Sequence, residues 1–139
     1  MPIRVVHLED DPLDAELVRE TLTADGIPCT ITLASSREAF LAAIETRPDI
    51  VLADYQMQNR PAGLELLERM VNRAPGGQKR AGALLTADAT EKMVEEADKL
   101  GFPVLRKPVR PGALRALIAA LVDRLARASQ VSSSTGAAN

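Results

Sequence analysis

IRVVHLEDDP, residues 3–12, is the stretch on which the fold turns. The β-branched apolar run Ile3–Leu8 stops at Glu9-Asp10-Asp11, which predicts a buried strand ending in an acidic loop. Pro12 then stands where a first helical residue belongs, with Asp11 as its cap, and Leu13, Leu17 and Leu22 give a helical stripe up to Gly26. A strand followed by a helix is therefore the unit, and it recurs outward along the chain. Cys29–Leu33 (CTITL) reads as a second strand, and Ser35 with Glu38 has capping-box spacing before Phe40, Leu41 and Ile44, closed by Pro48. Asp49–Asp54 (DIVLAD) is a continuous apolar run of the kind covered on both faces. A loop over 55–62 leads to a helix around Gly63–Arg73, broken by Pro75-Gly76-Gly77. Ala81–Thr86 is the fourth strand, Thr90–Leu100 the next helix, and Pro103–Leu105 a short fifth strand before Pro108. The last helix carries Leu114, Leu117, Ile118, Leu121, Val122 and Leu125 on one broad face. Five such units predict a single α/β domain, a doubly wound parallel sheet with helices on both faces.

Composition narrows the function classes. The chain has 139 residues, room for one domain, with 46% apolar and 26% charged residues as in an ordinary globular protein. Lys plus Arg is 17 against 19 for Asp plus Glu, and aromatics are 2%, which argues against binding nucleic acid by phosphate neutralisation or base stacking. The single Cys29 excludes an internal disulfide and a four-cysteine zinc site. No apolar run approaches the roughly 18 residues of a membrane span, and Arg4, His7, Glu9 and Asp10 interrupt any signal-peptide core, so the cytoplasm is expected. The charge is uneven: residues 1–54 hold 11 acids and 4 bases, whereas residues 101–139 hold Asp123 alone against Arg106, Lys107, Arg110, Arg115, Arg124 and Arg127.

In a doubly wound sheet the ligand crevice lies beyond the carboxyl ends of the strands. The residues there are Glu9-Asp10, Asp54, Thr86 and Lys107. Taken singly, a strand-end Asp is often a helix cap and a Lys-Pro a solvated loop. Four such residues at four strand ends read as a site. Carboxylates about 4 Å apart repel by roughly 1 to 4 kcal/mol, so Glu9, Asp10 and Asp54 call for a cation, and an all-oxygen set with room for water suits Mg²⁺ (or Mn²⁺). A metal beside a carboxylate favours an incoming phosphoryl group, whose other oxygens Lys107 and the Thr86 hydroxyl can take, and it makes the carboxylate a candidate nucleophile.

Glu9-Asp10-Asp11-Pro12, Asp54, Leu85-Thr86-Ala87 and Lys107-Pro108, in that order and spacing, resemble the chemotaxis-regulator-like receiver domain of two-component response regulators. The resemblance covers about residues 3–126. It implies the flavodoxin-like strand order 2-1-3-4-5, a receiver over residues 1–127, and Asp54 as acceptor of a phosphoryl group. The donor would be a phosphohistidine on a sensor histidine kinase or a histidine phosphotransfer protein. It further implies that Asp10 and Asp54 ligate Mg²⁺, with Glu9 acting through water and the main-chain carbonyl of Gln56 adding an oxygen. Thr86 would hydrogen-bond the phosphoryl group, Lys107 would pair with it, Ala87 would leave it room, and the Lys107-Pro108 bond would be cis. Gln56 and Asp88 would flank the line of hydrolytic water and set a moderate lifetime.

The chain departs from the family pattern in one loop and one core position. Gln58 stands where a proline is usual, Pro61 comes later, and Gly63 is nine rather than eight positions past Asp54. Val104 occupies the site of the usual aromatic, which argues against readout by aromatic rotation, and Phe102 reads as core. His7 reads as a packed strand residue, Cys29 as a small hydrophobe, and 128–139 as a flexible polar tail. With no room for an output domain after residue 126, the signal is expected to leave through the receiver's own surface to a downstream protein target, from a monomer or weak dimer. Three rival readings stand beside this one. A haloacid-dehalogenase-type phosphatase wants a second Asp where Gln56 stands, and an FMN carrier wants a Gly/Ser/Thr-rich loop where EDDP stands. The third is a receiver-like interaction module that is not phosphorylated.

Overall fold

The structure is a computed structural model that describes residues 2–24, 28–57, 60, 61, 63, 65, 67, 68 and 81–137, with backbone only at 56, 57, 60, 61 and 128–137. Strand β1 (Ile3–Leu8) is followed by α1 (Pro12–Ala24), β2 (Cys29–Ala34), α2 (Arg37–Ile44) and β3 (Ile50–Asp54). Then come a short ribbon, β4 (Gln56–Met57) and β5 (Arg60–Pro61), β6 (Ala81–Thr86), a helix over Glu91–Lys99, β7 (Val104–Arg106) and a C-terminal helix over Pro111–Ala137. The five long strands form one parallel sheet in the order β2-β1-β3-β6-β7, which is 2-1-3-4-5 counted within the sheet. This is the expected doubly wound architecture.

Alternation along the strands divides the core between two faces. Val5, Ile50, Leu52, Ala83 and Leu85 pack with Val18 and Leu22 of α1 and with Leu114, Ile118 and Leu121 of the C-terminal helix. Val6, Leu8, Val51, Ala53 and Leu84 pack with Phe40 and Ile44 of α2, Leu67, and Ala97 and Phe102. All five residues of β3 and all six of β6 are buried, as their unbroken apolar runs require of central strands covered on both sides. Truncating a fully buried Leu52 or Leu84 to alanine would cost about 2–5 kcal/mol.

Local signals were right in kind and sometimes displaced. Asp11 does cap α1, accepting the Leu13 N–H at 2.9 Å. The buried stripe of that helix is Ala15, Val18 and Leu22, however, and Leu13 is 80% exposed: the start fixed by Pro12 rotates Leu13 and Leu17 outward. The cap of α2 is Ser36, whose Oγ accepts the Ala39 N–H at 3.1 Å, one residue after the expected Ser35. The segment 55–62, expected as plain loop, contains the antiparallel pairs Gln56 with Pro61 and Met57 with Arg60. The C-terminal helix, Pro111–Ala137, includes residues 128–137, which the sequence reads as a flexible tail. Gly26, most of the helix expected at 63–73 and the Pro75-Gly76-Gly77 break lie outside the described residues. Among the described residues no helix is long and apolar enough to cross a membrane.

Candidate functional site

The sheet brings the four chemistry-bearing strand ends level. Parallel registers pair Leu8 with both Ala34 and Ala53, Asp54 with Leu85, and Thr86 with Arg106. Backbone bonds then carry the alignment past the strand ends: Glu9 N–H to Ala34 at 3.0 Å, Tyr55 N–H to Leu85 at 2.8 Å, and Lys107 N–H to Thr86 at 2.7 Å. Glu9, Asp10, Asp54, Thr86 and Lys107 thus meet at one edge, although 98 residues separate the first from the last.

Glu9, Asp10 and Asp54 each offer a carboxylate oxygen, and the three oxygens lie within 4.8 Å of one another. At that separation each ionised pair repels by about 3.5 kcal/mol at an effective dielectric near 20. Lys107 answers part of this. Its Nζ lies 2.6 Å from Glu9 Oε1, 3.0 Å from Asp14 Oδ2 and 3.2 Å from Asp54 Oδ2. One ammonium against four nearby carboxylates leaves the site short of positive charge. Burial, reinforced by Asp54, pushes the Glu9 carboxyl up to about 7. Burial pulls on Lys107 in the opposite sense, but its bonds to Glu9 and Asp14 outweigh that and hold it above the usual lysine range. An all-oxygen, acid-rich set with too few cations is the donor chemistry of a hard divalent ion, and Glu9, Asp10 and Asp54 fit one.

Around this cluster, Thr86 is 2% exposed, and its Oγ1 accepts the Asp88 N–H at 3.2 Å. Ala87 and Asp88 are exposed at the rim. The Gln56 backbone follows Asp54 by two residues in β4, and its side chain lies outside the described residues. The Lys107–Pro108 peptide is cis, and Val109 beyond it is buried in the core. Gly63 lies against the backbone that carries Asp54. Its N–H donates to Tyr55 O at 3.2 Å, and a Cβ on it would strike the Asp54 carbonyl oxygen and stand 2.9 Å from both the Asp54 carbonyl carbon and Tyr55 Cα. The glycine therefore serves a close backbone approach even though the loop before it is one residue longer than the family pattern. Gln58 and Ala62 of that loop lie outside the described residues.

One residue of the site escaped the sequence reading. Asp14 reaches Lys107 from the first turn of α1; its signal was an acid one helical turn after Asp10. His7 is packed, as expected, but its Nε2 has no partner among the described residues, and burial together with nearby Lys107 lowers its pKa to about 4. Cys29 is half-buried against Leu22, its thiol raised by burial. Phe102 is core, and Val104 packs partly against the same cluster.

Comparison with known proteins agrees with this geometry. The response regulator receiver domain family matches residues 5–119. No curated protein matches the chain. Among solved structures, the signal receiver domain of a Luxo repressor protein from Vibrio parahaemolyticus superposes with a TM-score of 0.80 at 19% identity, covering 94% of this chain and 98% of that one. The chemotaxis protein CheY4 of Vibrio cholerae gives 0.73 at 21%, over 87% and 99%. A BeF3-activated DrrB receiver domain gives 0.75 at 20%, over 88% and 99%. With the family matched over most of its length, its motifs at the strand ends and the sheet order in agreement, the chain belongs to the response regulator receiver domains of two-component systems.

Proposed function

We propose that Asp54 is the phosphoacceptor of this receiver, taking a phosphoryl group from a phosphohistidine on a sensor histidine kinase or a histidine phosphotransfer protein. The observation that carries the reading is the position of the Asp54 carboxylate at the end of β3, among Glu9 and Asp10 and 3.2 Å from the Lys107 ammonium. An Asp54 carboxylate oxygen attacks the phosphorus, a P–O bond forms as the P–N bond breaks, and the histidine leaves as imidazole, taking up a proton if it departs as the anion. Glu9, Asp10, Asp54 and the main-chain carbonyl of Gln56 would hold Mg²⁺ or Mn²⁺, which when bound supplies charge neutralisation for the incoming dianion.

The other residues divide the remaining work. Lys107 pairs with a phosphoryl oxygen. The Thr86 hydroxyl, which accepts one bond from Asp88 N–H, still has a proton to donate to another. Ala87 leaves room beside it, and Gln56 and Asp88 orient the water that later hydrolyses the acyl phosphate. The domain acts as a signalling unit that assists its own phosphorylation and dephosphorylation, in the cytoplasm, through a change in affinity for a downstream protein. The receiver unit spans 1–127.

Incubation with Mg²⁺ and a small phosphodonor tests this. A base-labile mass gain of one phosphoryl group is expected, absent in chelator and in Asp54→Asn, whose amide is not a competent nucleophile. A wild-type protein that takes up none would instead be a module that signals with its unmodified surface. Full labelling of Asp54→Asn would remove the role from Asp54.

A further inference from the structure

Lys107 is held by one more carboxylate than the proposed chemistry requires. A lysine ammonium has three N–H donors, and here three carboxylates face it: Glu9, Asp14 and Asp54. Glu9 and Asp54 belong to the cluster that could hold a cation, and Asp14 does not. The side chains also differ in their access to water: Glu9 is fully enclosed and Asp54 nearly so, whereas Asp14 is 36% exposed.

We propose that Asp14 is a positioning residue that parks the Lys107 ammonium in the unphosphorylated protein, so that Lys107 reaches a phosphoryl group on Asp54 by giving up the Asp14 ion pair. This rests on the phosphoacceptor reading above. Acylation of Asp54 removes the charge of its carboxylate and moves negative charge outward onto the phosphoryl oxygens, where Lys107 has to follow. Acylation weakens the Asp54 contact, but Glu9 and Asp14 still hold the ammonium back, and to move outward it must leave one of them. Leaving Glu9 strands an enclosed carboxylate without solvent, while leaving Asp14 returns a carboxylate to water, so Asp14 is the partner released at least cost. The exchange makes and breaks no covalent bond. An acid in the first turn of a helix also complements the helix dipole, and a purely structural Asp14 would do only that.

The test uses the full chain at saturating Mg²⁺, titrated with beryllofluoride as a non-transferable phosphoryl mimic. Binding is read from the fluorescence of Tyr55, the single tyrosine in a chain without tryptophan and the neighbour of Asp54. Asp14→Asn is expected to bind beryllofluoride roughly threefold to tenfold more tightly than wild type, the worth of one partly exposed ion pair. Asp14→Ala should do the same and Asp14→Glu should restore wild-type affinity. In a Lys107→Ala background the effect of Asp14→Asn should vanish, because the two residues act as a pair. Equal or weaker binding by both Asp14→Asn and Asp14→Ala, with a responsive wild type, overturns the parking contact and leaves the phosphoacceptor reading standing. Tightening that persists without Lys107 overturns it too, since Asp14 would then act only as background charge. A wild type that gives no response overturns the phosphoacceptor reading and the parking contact with it.

Discussion

Gly63→Ala should separate the receiver's site from its scaffold. The added methyl carbon would strike the Asp54 carbonyl oxygen and stand 2.9 Å from the Asp54 carbonyl carbon and from Tyr55 Cα, where non-bonded carbons settle at about 3.5–4.0 Å. The atoms it meets are backbone, so no side-chain rotation relieves the clash. Either β3 ends differently or Gly63 retreats and loses its 3.2 Å bond to Tyr55 O. A relief movement of about 0.5 to 1 Å falls on the backbone that carries the Asp54 carboxylate. Overpacking of this kind costs about 1–3 kcal/mol, and at about 3–5 °C per kcal/mol for a chain of this size the melting temperature should fall by about 3–15 °C. A misplaced nucleophile should slow phosphorylation by about tenfold to 100-fold. Gly112→Ala is the matched control, because a Cβ there meets nothing within 4 Å, and it should leave the labelling rate near wild type and the melting temperature no lower than wild type. Thermal melts by circular dichroism and initial rates with a small phosphodonor decide the matter. A Gly63→Ala protein that melts within about 1 °C of wild type and is labelled at the same rate would refute the close-approach argument.

Lys107→Ala should cost up to about 3 kcal/mol, because it strands the buried Glu9 and Asp54 carboxylates, and it should bind Mg²⁺ more tightly through loss of a competing ammonium. A stability loss no larger at pH 8 than at pH 5 would contradict this, since the stranded groups must be ionised to repel. In chelator, Glu9 and His7 should pull the stability profile in opposite directions. Glu9 has a folded pKa of about 7 against 4.5, so it withdraws stability as pH rises through that window, and Glu9→Gln should gain on wild type from about pH 4.5 to 7. His7, about 4 against 6.5, withdraws stability as pH falls, so His7→Phe should gain on wild type from about pH 6.5 down to 4; parallel profiles for either variant and wild type would sink its assignment. Asp88→Ala combined with Gln56→Ala should lengthen the life of the phosphoprotein, and unchanged phosphate release would mean that water arrives by another path.

The parts legible in the sequence are those set by short-range chemistry and by topology. Unbroken apolar runs at 50–54 and 81–86 identify the central strands, and the rule that ligands gather at the carboxyl ends of parallel strands brings Glu9, Asp10, Asp54, Thr86 and Lys107 together. Rotation was less legible. Leu13 and Leu17 outrank Ala15 in hydrophobicity, yet the helix start at Pro12 points them outward, because a buried stripe is fixed by how the strand hands over to the helix and not by which residues are most apolar. Contacts made by residues away from the strand ends were not legible. The Asp14–Lys107 pair spans 93 residues, and Gly63 under Asp54 follows from the path of a loop whose spacing differs from the family pattern.

Lys107 also bounds how far the proposed switch can move. In the proposed switch, the ammonium that offsets carboxylate repulsion in the resting site is the same one that would neutralise the phosphoryl group, so what counts is the difference between its two sets of partners. A net charge-assisted hydrogen bond contributes about 1.5–3 kcal/mol, and in the proposed exchange one is gained on a phosphoryl oxygen while another is surrendered at Asp14. Thr86 adds a new bond of the same class, because its present role is as acceptor from Asp88. The exchange at Lys107 nearly cancels, so the sum is about 1.5–3 kcal/mol, below the roughly 5.5 kcal/mol needed to carry an equilibrium from 1:99 to 99:1. Val104, partly buried against the Phe102 cluster, offers no aromatic ring whose burial could supply the remainder. Phosphorylation of Asp54 should therefore produce a graded shift centred on the loop after Thr86, and a partner that prefers the shifted form must contribute the rest of the free energy by binding it.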